Sequence, residues 1–153
     1  YIKEFCDSKE KVVSIRKVPL VDSEIKEYQK RRDAVNHVTV MFKKSKVLEA
    51  GNYQHALLME DSLLWTNMIL HGATFKNIDD YLVYVRTGAD MFKRRGGLKY
   101  FKKYKNGRKI ILQTGYISKW DYYYTLLVQL IFSILPNSVR EFVYEKLLRS
   151  NKE

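Results

Sequence analysis

Short alternating segments of hydrophobic and polar residues occupy the first half of the chain. KVVSIRKVP and NHVTVMFKK alternate and are rich in β-branched residues, so each predicts a strand, and Pro19 ends the first of them. TFKNI and YLVYVR predict two further short strands. Helical patterns separate these segments, which indicates a mixed α/β (α+β) core.

Three helices are predicted in the same half. SEIKEYQKRR predicts a short polar helix with Ser23 near its start, and SKVLEAG predicts one or two helical turns that end at Gly51. A longer helix is predicted from about Met59 to His71, with Gly72 as its stop.

The second half predicts helices only, and the change falls near residues 87–90. One helix runs from about Asp90 toward Gln113, where Asn106-Gly107, a pair typical of turns, can interrupt it. Two more open at Ser118 and Ser138, each with an acid three residues later, and Pro136 separates them as a hairpin. We therefore expect one part over residues 1–89 and a basic helical region with an amphipathic hairpin over residues 90–153.

Charge distinguishes the two halves further. The 153 residues carry a net charge of +11, and the stretch from Met91 to Trp120 holds ten basic side chains and no acidic one. A negatively charged partner is therefore expected: nucleic acid, anionic lipid or a phosphorylated substrate. With 46% hydrophobic residues, the chain can bury one core.

A single cysteine, Cys6, excludes an internal disulfide framework and a cysteine-rich zinc site, and it favours a cytoplasmic setting. The opening YIKEFCDSKE has no features of a signal peptide, and we expect the sequence to begin partway through a longer protein. The longest apolar stretch, Tyr122 to Leu135, would form a helix of about 21 Å, which is too short to span a bilayer core of roughly 30 Å.

Two adjacent acids, Glu60 and Asp61, stand at the predicted start of the helix that ends at Gly72. The helix dipole favours their ionised forms there, and an ionised carboxylate can act as a general base. Acids are common in first turns, so the pattern alone favours a purely structural role. Because adjacent residues are about 100° apart on a helix, at most one of the two can point at a substrate.

Other candidate groups are weaker. His37 is expected at a strand start that faces a cleft, but no pair of histidines has metal-ligand spacing, so no metal site is predicted in this chain. The segment RRGG, which contains Arg94 and Arg95, places charge beside flexible backbone but lacks the pattern of a phosphate-binding P-loop.

The basic run KRRGGLKYFKKYKNGRK interleaves aromatic residues, which suits either nucleic acid or a membrane surface. The helix that follows has one narrow polar line, and the rest is apolar or aromatic. This composition favours a membrane-binding hairpin over nucleic acid, while packing on a protein surface stays an alternative. The expected membrane contacts are Trp120, Tyr123, Tyr124, Leu127 and Ile131.

Taken in order, KRRDAVNHVTVMFKKSKVLEAGNY, MEDSLLWTNMILHGATFKNIDDYLVYVR, KRRGG and LPNSVREFVYEKLLR resemble the C-terminal half of bacterial family 2 glycosyltransferases. The resemblance is strongest to those that build capsular, exopolysaccharide or O-antigen repeat units, and it covers about residues 18–149. It implies that residues 1–89 are the C-terminal part of a GT-A catalytic domain, on the acceptor side of an inverting nucleotide-sugar glycosyltransferase.

The resemblance also implies an N-terminal half with the donor site and a DXD-type motif for a divalent metal, Mg or Mn. The N-terminal half is not expected in this chain. IDDY at residues 78–81 is not expected to be the metal motif, because it follows the acidic pair instead of preceding it. The chain alone is therefore expected to be inactive.

Site residues follow from the same resemblance. Asp61 is implied as the general base with Glu60 as its support, and Trp65, His37 and Asn36 as acceptor-binding residues. Arg86, Arg94 and Arg95 are implied to contact phosphate or diphosphate groups. The implied partners are a nucleotide-sugar donor of the UDP-sugar type and a polyprenyl-diphosphate-linked or saccharide acceptor, at the inner face of the cell membrane, with no nucleic acid.

Overall fold

A computed structural model of the protein describes residues 1–5, 12–87, 96–136 and 139. Within these ranges the chain forms one sheet of three strands and five α-helices, which confirms the mixed α/β class. Strand β1 (Ile2–Phe5) lies in the middle, antiparallel to β2 (Val12–Arg16) and parallel to β3 (Val83–Arg86).

The central strand β1 was not predicted from its pattern. A register shift between Glu4 and Phe5 puts two consecutive residues in buried positions, so the usual alternation is lost. The buried carboxylate of Glu4 accepts a hydrogen bond from the hydroxyl of Ser14 on β2. Pairing with β3 joins residues about eighty positions apart, a contact that no local pattern encodes.

The helices agree closely with the start and stop signals. They are α1 (Asp22–Gln29), α2 (Lys44–Glu49), α3 (Glu60–Leu70), α4 (Gly97–Gln113) and α5 (Lys119–Ile134). Gly51 and Gly72 follow α2 and α3 with φ of 84° and 74°, the left-handed conformation that glycine adopts without strain. The predicted stops at both glycines are confirmed.

Two predicted strands are wrong. NHVTVMFKK forms a 3-10 turn at His37–Thr39 followed by irregular chain, and TFKNI is also irregular. Side chains hold the second segment in place of a ladder: the carboxylate of Asp22 accepts from the backbone N–H of Phe75 at 2.7 Å, and the Asn77 amide donates to the Pro19 carbonyl at 2.6 Å. Alternation produces a strand only where another strand is available to pair.

Helix α4 is continuous, so an interruption at Asn106-Gly107 is wrong. The reason is packing. A Cβ added to Gly107 would lie 2.7 Å from the Ala56 carbonyl oxygen and 2.7 Å from Cγ of Met59. Glycine in the middle of this helix allows close approach to the loop before α3. The part of this prediction that falls on residues 90–95 lies outside the described ranges.

Helix α5 begins as predicted. Ser118 accepts a hydrogen bond from the backbone N–H of Asp121 at 3.0 Å, and the Asp121 carboxylate accepts from the backbone N–H of Ser118 at 3.2 Å, a complete capping box. The helix ends at Ile134, two residues before Pro136. The helix expected to open at Ser138 lies outside the described residues.

Helix α3 lies between two hydrophobic clusters. Leu64, Trp65 and Met68 pack into one cluster with residues of α1, α2 and the loops beside them. Leu63 packs into a second cluster with Ile111 of α4 and other residues of the helical hairpin. The N-terminus of α3, where the two acids lie, is thereby fixed from both sides.

The α4–α5 hairpin is also bound to the C-terminal end of α1. Arg108 of α4, which is buried, donates to the backbone carbonyl of Lys30 at 2.7 Å, and Arg31 donates to the Asp121 carboxylate at 2.7 Å. The guanidinium of Arg31 also lies 5.3 Å from the centre of the Tyr124 ring. The proposed boundary between residues 1–89 and 90–153 stays a prediction.

Candidate functional site

The acidic pair opens α3, as predicted, and the two side chains differ in their contacts. Asp61 is partly open to solvent, with 41% of its side chain exposed, and its Oδ2 lies 3.3 Å from Nδ1 of His37. In the part of the chain that the structure describes, Oδ1 of Asp61 has no hydrogen-bond partner. Oδ2 thus lies against His37, and the carboxylate as a whole is partly exposed to solvent.

Tyr53 completes this group, and sequence reasoning missed it. Its hydroxyl lies 3.0 Å from Nε2 of His37, and the two rings meet edge to face at 6.0 Å between centroids. The three side chains come from the start of α3, from the 3-10 turn and from the loop after α2. A sequence signal for Tyr53 exists only in retrospect: it follows Gly51 and Asn52, whose positive φ turns the chain sharply.

The surroundings of Asp61 raise its pKa. Burial is the largest cause, the nearby His37 opposes it, and the negative charges of Asp33 and Glu60 add to it. A position in a first helical turn by itself favours a lowered pKa, so burial and like charges outweigh the helix end here. A carboxylate with raised proton affinity is better suited to accept a proton from a hydroxyl group.

Glu60 does not contact Asp61 through a hydrogen bond in the described structure, and the polar partner of Asp61 is His37. Glu60 acts on it through charge alone, as one cause of the raised pKa of Asp61. The supporting role that the resemblance gave to Glu60 stays a prediction, and the geometry offers His37 for that role.

Trp65 lies beneath the site as a core residue. Only 1% of it is exposed, and its ring is 6.2 Å from that of His37 and 6.3 Å from that of Phe42. In this structure its ring face is not open to a sugar, and a stacking role for it stays a prediction. Two exposed rings lie close by instead: Tyr53 contacts His37, and Phe42 contacts Trp65.

A cavity of about 600 Å³ lies beside the turn that carries His37. Asn36 and Trp65 both line it, and Asn36 Oδ1 and Trp65 Nε1 are buried with no hydrogen-bond partner in the described structure. Lys43 and Lys76 contribute positive charge to the lining. Asn36 is thus buried next to the site, and its acceptor-binding role stays a prediction.

Of the three arginines predicted to bind phosphate, Arg86 is the one that lies within the described residues. Arg86 ends β3, is exposed, and lies 5.5 Å from the centre of the Phe5 ring. Arg94 and Arg95 lie outside the described residues. Phosphate contacts by all three stay predictions.

No group of three or more histidine, cysteine, aspartate or glutamate side chains that could hold a metal ion occurs in the described ranges. Asp79 and Asp80 of IDDY are both exposed and belong to no such group. The metal implied by the resemblance, and the expectation that its ligands lie outside this chain, stay predictions.

Helix α5 presents an apolar face to the surroundings. The residues predicted to contact a membrane are all exposed: Trp120, Tyr123, Tyr124, Leu127 and Ile131. Val128 and Ile134 on the same helix are exposed as well. No helix within the described residues has the length and hydropathy needed to cross a bilayer.

Comparison with known proteins relates the chain to three bacterial enzymes. It is 35% identical over 135 residues to an amylovoran biosynthesis glycosyltransferase of Erwinia amylovora, which covers 86% of the chain and 50% of the relative. It is 34% identical over 135 residues to a UDP-Gal:alpha-D-GlcNAc-diphosphoundecaprenol beta-1,3-galactosyltransferase of Escherichia coli, covering 88% of the chain and 49% of the relative.

The third relative is an uncharacterized glycosyltransferase of Haemophilus influenzae, 31% identical over 148 residues, which covers 97% of the chain and 55% of the relative. No protein-family model matches the chain, and no solved structure does. The chain spans about half the length of the curated relatives it matches. Over nearly all of its own length, the chain is homologous to bacterial glycosyltransferases.

Proposed function

We propose that the chain is the acceptor-side portion of an inverting, family 2 glycosyltransferase of GT-A fold, which transfers a sugar from a nucleotide donor to a lipid-linked acceptor. The observation that carries the proposal is Asp61, a half-open carboxylate with one oxygen held by His37 and a raised pKa. Homology over most of the chain to glycosyltransferases supports the reaction class.

Asp61 acts as the general base in this mechanism. As the acceptor hydroxyl approaches the anomeric carbon, its proton passes to the carboxylate of Asp61. A bond forms between the acceptor oxygen and the anomeric carbon while the bond from that carbon to the phosphate oxygen breaks. The electron pair leaves with the nucleoside diphosphate, and displacement in one step inverts the anomeric configuration.

The substrates follow the chemistry of the relatives. The name of the Escherichia coli relative states a UDP-Gal donor and a diphosphoundecaprenol-linked GlcNAc acceptor. We propose the same classes for this protein: a UDP-sugar and an acceptor on a polyprenyl diphosphate. A divalent metal, Mg or Mn, would help the nucleoside diphosphate to leave, and its ligands are expected in the other half of the protein.

Membrane association is part of the proposal. An aliphatic side chain that passes fully from water into an apolar phase contributes about 1.5–3 kcal/mol, so even partial insertion of the α5 face would hold the protein at a lipid surface. Helix α4 adds exposed lysines without a carboxylate partner among the described residues, which suits anionic headgroups: Lys99, Lys102, Lys103, Lys105 and Lys109. We place the enzyme at the inner face of the cell membrane on this basis.

The test of the reaction is sugar transfer by the full-length protein that carries these residues. UDP-sugars and a polyprenyl-diphosphate-linked acceptor are supplied, and the anomeric configuration of the product is determined by NMR. We expect transfer with inversion. Retention of configuration would contradict the single-displacement mechanism, and transfer without any need for a lipid-linked acceptor would contradict the acceptor class.

The test of the membrane claim is co-sedimentation with anionic vesicles at low salt. We expect binding that falls at least tenfold when Leu127 and Ile131 are both changed to Ser. The matched control changes Ile78 and Leu82 to Ser, two aliphatic residues outside the hairpin that are at least as exposed as Leu127 and Ile131. Absence of binding by the unaltered protein, or equal losses in the two variants, would overturn the claim.

A further inference from the structure

Asp61, His37 and Tyr53 form a row of polar contacts: an ion-pair contact joins Asp61 to His37, and a hydrogen bond joins His37 to Tyr53. The Asp61 carboxylate lies 3.3 Å from Nδ1 of His37, and the opposite ring nitrogen, Nε2, lies 3.0 Å from the Tyr53 hydroxyl. The aspartate, the imidazole and the phenol are each partly exposed. The three side chains therefore lie at the surface and are not part of the core.

The chemistry of the three groups fixes where the protons lie. Nδ1 of His37 lies 3.3 Å from Oδ2 of Asp61 as an ion-pair contact, and this approach to an ionised carboxylate is favourable only when Nδ1 carries a proton. In a neutral imidazole the other nitrogen is then an acceptor, and the Tyr53 O–H donates to Nε2. Tyr53 thus selects the tautomer of His37 that can hold Asp61.

The backbone around both residues is constrained. His37 opens a 3-10 turn in which Asn36 accepts from the backbone N–H of Thr39 at 2.9 Å and from its hydroxyl at 3.0 Å. Tyr53 follows Gly51 and Asn52, whose φ values of 84° and 59° reverse the chain after α2. Positive φ at two adjacent residues is uncommon, and here it directs Tyr53 back toward His37.

We infer that His37 and Tyr53 are positioning residues for Asp61: Tyr53 sets the tautomer of His37, and His37 holds Oδ2 of Asp61 so that Oδ1 points at the acceptor hydroxyl. This inference rests on the proposed function, because it names the groups that orient its general base. It replaces Glu60 by His37 as the support of Asp61 and adds Tyr53 to the site.

The charges that face Asp61 come from several elements. Asp33, in the loop after α1, and Glu60, beside it on α3, both repel a negative charge on Asp61, while His37 attracts it. Tyr53 lies on the far side of His37 and experiences the charge of Asp61 as well. Removing His37 therefore leaves Asp61 among like charges, and its protonation should begin at higher pH.

The first experiment needs no activity and uses the chain itself. ¹⁵N NMR of the histidine side chains, recorded about two pH units above the ordinary histidine pKa, reports which nitrogen of His37 carries the proton. We expect Nδ1 in the unaltered chain. Changing Tyr53 to Phe should shift the ratio of tautomers about fivefold toward Nε2–H, the change given by loss of one ordinary hydrogen bond.

Tyr84→Phe is the matched control, since Tyr84 on β3 has the same 43% exposure as Tyr53. It should leave the tautomer ratio of His37 unchanged. A proton on Nε2 in the unaltered chain, or equal shifts in the two Phe variants, would overturn the inference. Because no transfer is measured, this result is independent of whether the proposed reaction is correct.

The second experiment uses transfer by the full-length protein. Tyr53→Phe should lower kcat about three- to tenfold with KM nearly unchanged, as expected for a base that is misoriented but present. His37→Gln should move the acidic limb of the rate profile to higher pH. An unmoved limb, or an effect of Tyr53→Phe on KM alone, would contradict a positioning role.

Discussion

Asp61 and Asp121 both lie in the first turn of an apolar helix, yet their surroundings differ. The Asp121 side chain is 8% exposed and accepts hydrogen bonds from the backbone and hydroxyl of Ser118 and from Arg31. The Asp61 side chain is 41% exposed, and its polar partner in the described structure is His37. The number of donors to each carboxylate distinguishes the two acids.

Their pKa values move in opposite directions. Burial alone would raise the pKa of Asp121, but hydrogen bonds from Ser118 and the charge and hydrogen bond of Arg31 outweigh it and lower the pKa. Burial also raises the pKa of Asp61, and there His37 does not compensate. A carboxylate saturated with donors is held ionised as part of the structure, whereas one with a single partner keeps its affinity for a proton.

The largest effect that we expect is on transfer by the full-length protein. Asp61→Asn should lower the rate about 10²–10⁴-fold, because the variant cannot accept the proton of the acceptor hydroxyl. Glu24→Gln, which removes an exposed carboxylate on α1, is the control and should leave the rate unchanged. Near-normal transfer by Asp61→Asn would show that Asp61 is not the base.

For stability we expect the larger effect at Asp121 and little effect at Asp61. Asp121→Asn weakens the capping box and the contact with Arg31, and we expect a loss of about 1–2 kcal/mol in the free energy of unfolding. Asp61→Asn should not destabilise the fold, since it removes no saturated network. Urea denaturation at neutral pH measures both variants, and equal losses would remove the distinction between the two acids.

For the packing of the hairpin against the loop before α3, we expect a change in the free energy of unfolding of similar size. Gly107→Ala would place a methyl group 2.7 Å from the Ala56 carbonyl oxygen, and we expect a destabilisation of about 1–3 kcal/mol despite the better helix propensity of alanine. Asn106→Ala, one position earlier on an exposed part of α4, is the control. A stabilised Gly107→Ala variant would mean that α4 does not pack against this loop so closely.

The smallest expected effect is the pH dependence of these stability differences. The folded pKa of Asp121 is lowered, so its contribution is present above the unfolded pKa of about 3.9 and is lost as pH falls through the folded pKa. The folded pKa of Asp61 is raised, so its contribution is present below the unfolded pKa and is lost as pH rises through the folded pKa.

It follows that Asp121→Asn should approach the stability of the unaltered chain at low pH. Asp61→Asn should be slightly the more stable at neutral pH, by a small amount because solvent screens its partly exposed side chain. Denaturation curves from pH 3 to pH 7 test both trends, and trends of the same sign would contradict the comparison.

Local signals predicted much of the helical structure. Ser118 with Asp121, Gly51, Gly72 and Pro136 each act within one helical turn, and each marks a helix boundary that the structure confirms. Their effect depends on neighbouring backbone groups, which are present in any fold. The position of the acids in the first turn of α3 was predictable for the same reason.

Long-range pairing was not predictable in this way. The segment NHVTVMFKK has the composition of a strand but no strand to pair with in the described structure, whereas β1 has a poor pattern and becomes the central strand. The contact between Tyr53 and His37 likewise depends on how the loop after α2 reaches the 3-10 turn. Alternation and spacing describe one segment at a time, whereas strand pairing and the contact between Tyr53 and His37 each depend on two segments.

The central claim is that the surroundings of Asp61 leave it able to take a proton, whereas those of Asp121 hold it ionised. A ¹³C NMR titration of both carboxyl groups in one sample tests this claim most directly. We predict that Asp61 titrates above the ordinary aspartate pKa and Asp121 below it. Asp61 titrating at or below the midpoint of Asp121 would contradict the account.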